Sequence, residues 1–296
     1  MTKRGAPVPS QTPTFRRMLL GHRLRELRTS TGLTAKTVSE ELEVAASWVT
    51  RIENGERGIQ IRDLRRLFDL YGVQDSAVKE HLLDLARQAR AQGWWDPYKS
   101  TLPPKYADYI GLESAASRVR NAELVVVPGL LQTEAYARHL LTHGMHAFTP
   151  EEVESRVAVR LQRQQNLLRR SDAHLEVILD ESVLRRVVGD FAVMRDQLAH
   201  TLTCAEQSNV TLRVLPLANG VHAGTSGSFV ILDYPAEAMA SIPYVETVAG
   251  DLYLEKGSDI DTCDEVWRYM ADRALTETDS IMMLTQTMKT YEEEAS

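Results

Sequence analysis

Between Leu33 and Arg57 the chain reads LTAKTVSEELEVAASWVTRIENGER, two short amphipathic helical segments joined by a tight turn. Helices this short are marginal in isolation, because nucleation fixes several residues for one hydrogen bond. They persist only if they cross and bury their apolar faces against further helices. The spacing predicts Val38 and Leu42 on the first segment, Thr34–Leu42, facing Val49 and Ile52 on the second, Ala46–Asn54. Ser39 supplies the small residue that a close crossing needs. The turn falls at Glu43-Val44, and Asn54-Gly55 ends the second segment.

The flanks supply the helices this pair requires. Phe15–Arg28 carries Leu20, Leu24 and Leu27 on one face, with Arg16, Arg17, Arg23 and Arg25 around them, and Thr31-Gly32 stops it. Ile61–Tyr71 and Ser76–Ala91 continue the helical period, the latter with Val78, Leu82, Leu85 and Ala89 as its expected buried stripe. Residues 15–92 therefore read as an all-α domain behind a flexible arm, 1–14, whose charges precede no apolar segment. The stretch GWWDPYKSTLPPKYADYIG, 93–111, breaks the period with proline, glycine and clustered aromatics and reads as a junction. Trp94, Trp95, Tyr98, Tyr106 and Tyr109 are too apolar to hang in water and are expected to pack there, fixing one domain against the other.

From Leu112 the signals mix. Helical patterns cover Glu113–Asn121, Thr133–Leu141, Glu151–Arg169, Phe191–Glu206, Asp259–Ala274 and Glu277–Lys289. Strand-like runs lie between them: ELVVV (123–127), HLEVILD (174–180), VTLRVLP (210–216), SFVILDY (228–234), PYVETV (243–248) and DLYLE (251–255). The last three read as an antiparallel meander with a hairpin turn at 248–251, and the second and third as a parallel crossover. The expected fold is multidomain, an all-α N-terminal domain plus an α+β C-terminal domain, 112–296, around a small mixed sheet.

The formal net charge is −7. It is unevenly spread: residues 1–66 hold 13 Lys and Arg against 7 Asp and Glu, a balance of +6, and the remainder carries −13. A polyanion responds to the local field, so an acidic body with a basic head remains able to bind nucleic acid. No apolar run is long enough to span a bilayer. Two cysteines, Cys204 and Cys263, far apart in sequence, fit a reduced, cytoplasmic compartment.

Two short helices around a tight turn make sense as a reader of duplex DNA, the first lying across the backbone and the second entering the major groove. The outer side of the second segment offers Ala46, Ser47, Trp48, Thr50 and Arg51 to base edges. Arg23, Arg25, Lys36, Asn54 and Arg57 are the candidate phosphate contacts. RLRELRTSTGLTAKTVSEELEVAASWVTRIENGERG resembles the XRE/Cro-type helix-turn-helix, the class of the phage repressors, over about 20–73. The resemblance implies a structural ion pair between Arg28, at the end of the first helix, and Glu53, on the inner side of the reading helix. Three positions depart from that pattern: Ala35 where the family usually has Gln, Glu43 where the turn usually has Gly, and Ala45 where Ser or Thr usually caps the reading helix. Farther on, GWWDPY, LPPKYADYIGLESAASRV and VVPGLLQTEAYARHLL look like a subgroup of bacterial regulators with a large uncharacterised C-terminal domain. That resemblance implies transcriptional regulation, a small partner protein encoded nearby and an antitoxin-like label. Specificity beyond a few base pairs calls for two heads, hence a homodimer. Its expected interface is the final helix, with Ile281, Met282, Leu284, Met288 and Tyr291, the alternative being that this stripe closes the domain's own core.

Rival chemistry is thin. His139, His143 and His146 lack the glutamate of a helical zinc motif, and Gly144 ends that helix. Asp259, Asp261 and Asp264 lack the glycine turn and closing glutamate of a calcium loop, and Ser258-Asp259 reads as a helix cap. NGVHAGTSGSF, 219–229, is neither a phosphate loop nor a nucleophile elbow; it reads as a strand-to-strand loop, with a small-ligand or partner contact as the alternative. No acid, base and nucleophile set stands out, so no enzyme, metal or cofactor is expected. The alternatives to a DNA-binding regulator are an interaction protein built to hold a small partner and an enzyme with a DNA-binding head.

Overall fold

The structure is a computed structural model and describes residues 13–90, 93–98, 101–144, 148–234, 240–247, 250–254 and 256–295. The expected arm up to residue 12, His146 and the Val248-Ala249 half of the expected hairpin turn lie outside the described residues. The chain forms two compact units: one holds the described residues up to 97 together with 108–115, the other 98–107, 116–234 and 240 onward.

In the first unit, α1 (Pro13–Ser30) begins slightly before Phe15 and stops at Gly32, whose φ of +72° suits a residue without Cβ. The two short helices are α2 (Ala35–Glu41) and α3 (Ala46–Glu53). The Thr34 hydroxyl caps α2 by accepting from the Thr37 amide. Between them Glu43 takes φ +56°, the one non-glycine residue with positive φ among the described residues. The turn is closed by Val44 N–H donating to Ser39 O at 2.9 Å. Next come α4 (Ile61–Leu70) and α5 (Ser76–Gln88), the latter capped by the Asp75 carboxylate. Leu24, Val38, Val49, Ile52, Leu64, Leu67 and Phe68 form the core. Val78 departs from its expected place: it is 38% exposed, and α5 instead buries Leu82, Leu83, Leu85 and Ala86. Val78 sits in the capped first turn, which lies in solvent.

The junction is more regular than its composition suggests, because Pro104–Ala115 forms α6. Trp95 and Tyr109 are buried. The expected helix Glu113–Asn121 is overturned: α6 ends at Ala115, and Arg118–Glu123 is β1. The run ELVVV supplies only the last residue of that strand, and Val125 beyond it is 50% exposed. The reason is β1's charge. Arg120 is buried, bonded at 2.7–2.8 Å to Asp233 and paired at 2.6 Å with Asp264. Asp233 also accepts from Arg118 and Ser241. Burial pushes the Asp233 pKa up, but its hydrogen bonds and guanidinium partners outweigh burial and hold it below the usual range.

The second unit continues with α7 (Glu134–His143), α8 (Pro150–Leu168), β2 (His174–Asp180), α9 (Glu181–Arg185), α10 (Phe191–Ala205) and β3 (Val210–Leu215). It closes with β4 (Phe229–Asp233), β5 (Ile242–Thr247), β6 (Gly250–Tyr253), α11 (Gly257–Arg273) and α12 (Glu277–Glu294). Among the described residues six strands form one mixed sheet in the order β3-β2-β1-β4-β5-β6. β1, β2 and β3 are parallel, with Arg118 opposite His174 and Leu175 opposite Val210; the other pairs are antiparallel. The expected crossover and meander are both present. One core cluster joins Ala122, Ile178, Leu215, Phe229 and Ile231 of the sheet to Trp267 and Met270 of α11.

PGLLQT is a buried loop whose backbone groups are bonded by amides from the helices. Gln164 Nε2 donates to Gly129 O and Gln132 O, Gln197 Nε2 donates to Leu131 O, and Gln197 Oε1 accepts from Thr133 N. A buried loop needs such partners, because an unpaired backbone group is costly. On α12 the buried face matches the core alternative, with a shifted set of residues. Its buried face is Ser280, Leu284, Thr287 and Tyr291, while Met282 is 58% exposed. Ser280 Oγ accepts from Val214 N and Tyr291 OH donates to Leu184 O, so the helix closes this unit's own edge and core.

His139 and His143 stack at 4.9 Å, and no cluster able to hold a metal occurs among the described residues. Asp264 is tied to Arg120, and Lys256, not Ser258, precedes α11 as its cap residue. In the 219–229 loop His222 is buried, with Nε2 3.4 Å from Asp180 and Nδ1 accepting from Gly224 N. Cys204 is buried and Cys263 half-buried, both unpaired with each other.

Candidate nucleic-acid interface

The placement of α3 begins with α1. A Cβ on Gly21 would lie 2.4 Å from Ile52 O and 2.6 Å from Glu53 O, so α1 and the end of α3 meet backbone to backbone. Only glycine permits that approach. Gly55, at φ +71°, then turns the chain away against Met18. Arg17 donates from Nε to Gly55 O and from Nη2 to Asp108 Oδ1.

The ion pair implied by the resemblance is present. Arg28 Nε donates to Glu53 Oε1 at 2.6 Å and Nη2 to Oε2 at 3.0 Å, while Nη1 reaches Leu33 O. The side chains are 13% and 4% exposed. The hydrogen bonds that Arg28 donates to Glu53 raise its pKa above the ordinary value. Such a bidentate pair fixes α3 against α1 whatever its net contribution to stability.

With Val49 and Ile52 buried, α3 turns Ser47, Thr50 and Arg51 outward, and Trp48 lies half-buried beside them. The side chain of Ala46 lies outside the described residues. Ala45 precedes α3 without a side-chain cap. Of the candidate phosphate contacts, Lys36 is exposed, 3.8 Å from Glu40, and Arg57 is exposed as well. Arg23 donates to Glu26 at 2.8 Å. Arg25 and Asn54 are brought together: Arg25 Nη2 donates to Asn54 Oδ1, and Arg25 Nε lies 3.4 Å from Glu53. The sequence reading missed two residues here, Gly21 and Glu56. Gly21 is legible only as a glycine inside a helical pattern. Glu56 accepts from Asn54 Nδ2 at 3.1 Å and sits 3.6 Å from Arg51 Nε.

A family model described as a helix-turn-helix domain matches residues 19–82, the span that contains this geometry and that marks a DNA-binding regulator. No curated protein and no solved structure matches the chain. Among the described residues no helix is long and apolar enough to cross a membrane. The other match, a domain of unknown function (DUF5753), runs over residues 106–286, more than half of the sequence. On that match the chain belongs to the DUF5753 family, with a helix-turn-helix domain ahead of the domain that defines it.

Proposed function

We propose that this protein is a sequence-specific, dimeric transcriptional regulator of the XRE/Cro type, acting in the cytoplasm as a binder and not as an enzyme. The observation that carries the reading is α3, clamped on its inner side by Gly21 and the Arg28–Glu53 pair and lined on its outer side by Ser47, Thr50 and Arg51. In this reading Arg51 reads guanine, Ala46, Ser47, Trp48 and Thr50 line the base edges, and Arg23, Arg25, Lys36, Asn54 and Arg57 meet phosphates. The C-terminal domain dimerises and receives a small partner protein or ligand, in keeping with the antitoxin-like subgroup. The local balance of +6 over residues 1–66 supports a basic head on an acidic body.

The test is a titration of the protein against its own upstream region at several salt concentrations. Neutralising roughly six phosphates per dimer gives a log–log slope of about −5. Arg51→Ala should relax selection at one base position by about 1–3 kcal/mol, whereas Arg57→Ala should weaken all sequences alike. A slope near zero, or DNA cut in the presence of magnesium, would overturn the reading.

A further inference from the structure

We infer that Glu56 is a positioning residue for Arg51, and through it a determinant of which base the protein selects. The inference rests on the regulator reading above and deepens it. Glu56 lies beyond the end of α3, and its two carboxylate oxygens face different partners: Oε1 accepts from Asn54 Nδ2 at 3.1 Å, and Oε2 is 3.6 Å from Arg51 Nε. Asn54 in turn accepts through Oδ1 from Arg25 Nη2, and Arg25 Nε approaches Glu53 Oε2 at 3.4 Å. Glu53 is the buried partner of Arg28. A continuous polar chain therefore runs from the fixed Arg28–Glu53 pair, through Arg25, Asn54 and Glu56, to the exposed guanidinium of Arg51.

The atom that Glu56 faces decides what the contact does. A carboxylate on the Nε side of a guanidinium leaves the two terminal nitrogens as a fork, and that fork is what matches O6 and N7 of guanine. An arginine on an exposed helix otherwise samples many rotamers and loses that freedom on docking. Holding Nε reduces the loss only in the productive orientation, so the gain appears at one base. The contact is exposed, 53% and 54% for the two side chains, and 3.6 Å is an ion contact and not a hydrogen bond. Its weight in stability is accordingly small, and its effect belongs to discrimination. Glu56 also costs general affinity, because it sets a negative charge beside the phosphates.

These two effects have opposite signs and separate cleanly. Duplexes selected from a random pool by the full-length protein define its site. Wild type, Glu56→Gln, Arg51→Ala and the double variant are then titrated against that duplex, its single-base variants and an unrelated duplex. Gln at 56 retains an acceptor for Asn54 and removes only the charge. Glu56→Gln is expected to bind the unrelated duplex more tightly than wild type, while losing about twofold to fivefold in discrimination at the base read by Arg51 and nowhere else. In the Arg51→Ala background it should keep the gain in general affinity and cause no further loss of discrimination. If Arg51→Ala relaxes one position but Glu56→Gln leaves that position unchanged, Glu56 is a plain surface charge, and the inference fails while the regulator reading stands. If Arg51→Ala relaxes no position, both the inference and the assignment of Arg51 as reader fall together.

Discussion

At the scale of single residues, the helix-turn-helix tolerates one choice that backbone sterics disfavour. Glu43 holds φ +56° in the turn between α2 and α3, where a Cβ crowds the following carbonyl at a cost of about 1–2 kcal/mol. Its side chain is exposed, so nothing in the core requires it. Glu43→Gly should therefore stabilise the turn, partly offset by the greater freedom glycine brings to the unfolded chain. The expected net gain is about 0.5–1 kcal/mol, seen as slower amide exchange at Val44, whose N–H closes the turn on Ser39 O. Unchanged or faster exchange would mean that the left-handed turn carries no strain. The residue-level reading of the sequence succeeded where a position has one dominant neighbour. Val38, Leu42, Val49 and Ile52 are buried as their spacing predicts, and Glu43 adopts the turn conformation the resemblance marked as unusual. Glu56 escaped because its partners are polar, exposed and identified only by three-dimensional placement.

At the scale of elements, the sequence revealed strands whose apolar period is undisturbed and missed the one whose charges are satisfied elsewhere. HLEVILD and VTLRVLP form β2 and β3, with apolar side chains along most of their length. RVRNAE forms β1 although it buries an arginine and an asparagine. Its compensating carboxylates, Asp233 and Asp264, lie more than a hundred residues away in sequence, beyond any local pattern. ELVVV deceived for the complementary reason: β-branched residues are necessary for many strands but do not fix where pairing ends. Helix packing shows the same dependence on distant backbone. Gly21 looks like a weak point in α1, yet it is the contact on which α3 rests. Gly21→Ala would improve helix propensity by up to about 1 kcal/mol. It would also press a methyl group into the carbonyls of Ile52 and Glu53, and overpacking of this kind costs about 1–3 kcal/mol. The clash should win, lowering the denaturant midpoint of the helical unit and weakening binding to every DNA sequence as α3 is pushed from its seat. A midpoint at or above that of wild type would show that α1 and α3 separate without penalty.

At the scale of the whole molecule, charge and core are divided between the ends of the chain. The head holds the excess of basic residues, and the acidic remainder contains the mixed sheet with its own closing helix. The composition made that division legible, but left α12 open between a subunit contact and a closing face of the core. Its methionines suggest an adaptable surface, whereas its buried face alternates polar and apolar residues: Ser280, Leu284, Thr287 and Tyr291. The polar members have specific tasks. Ser280 satisfies the Val214 amide on the outermost strand, and Leu275 N donates to Val214 O just ahead of the helix, so this end of the sheet is covered. Tyr291 stacks on Phe191 at 5.8 Å and bonds Leu184 O. Removing residues 277–296 would expose the face of α10 that α12 covers and leave the Val214 amide without its hydroxyl. Burial of Leu284 and Tyr291 alone is worth about 1.5–3 kcal/mol for each side chain. Against a total stability of about 5–15 kcal/mol, losing both along with the edge bonds removes a large part of the margin. The truncated protein should therefore lose the near-ultraviolet circular dichroism of the second unit and bind a hydrophobic dye. A truncated protein that keeps the native spectrum would return α12 to the surface. A test of α12 as a dimer contact has to spare that core, and Met282, at 58% exposure, allows it. Met282→Glu should leave the spectrum native; for a protein that sediments as the dimer proposed above, a shift toward monomer then places the contact on this helix, and an unchanged sedimentation coefficient places it elsewhere.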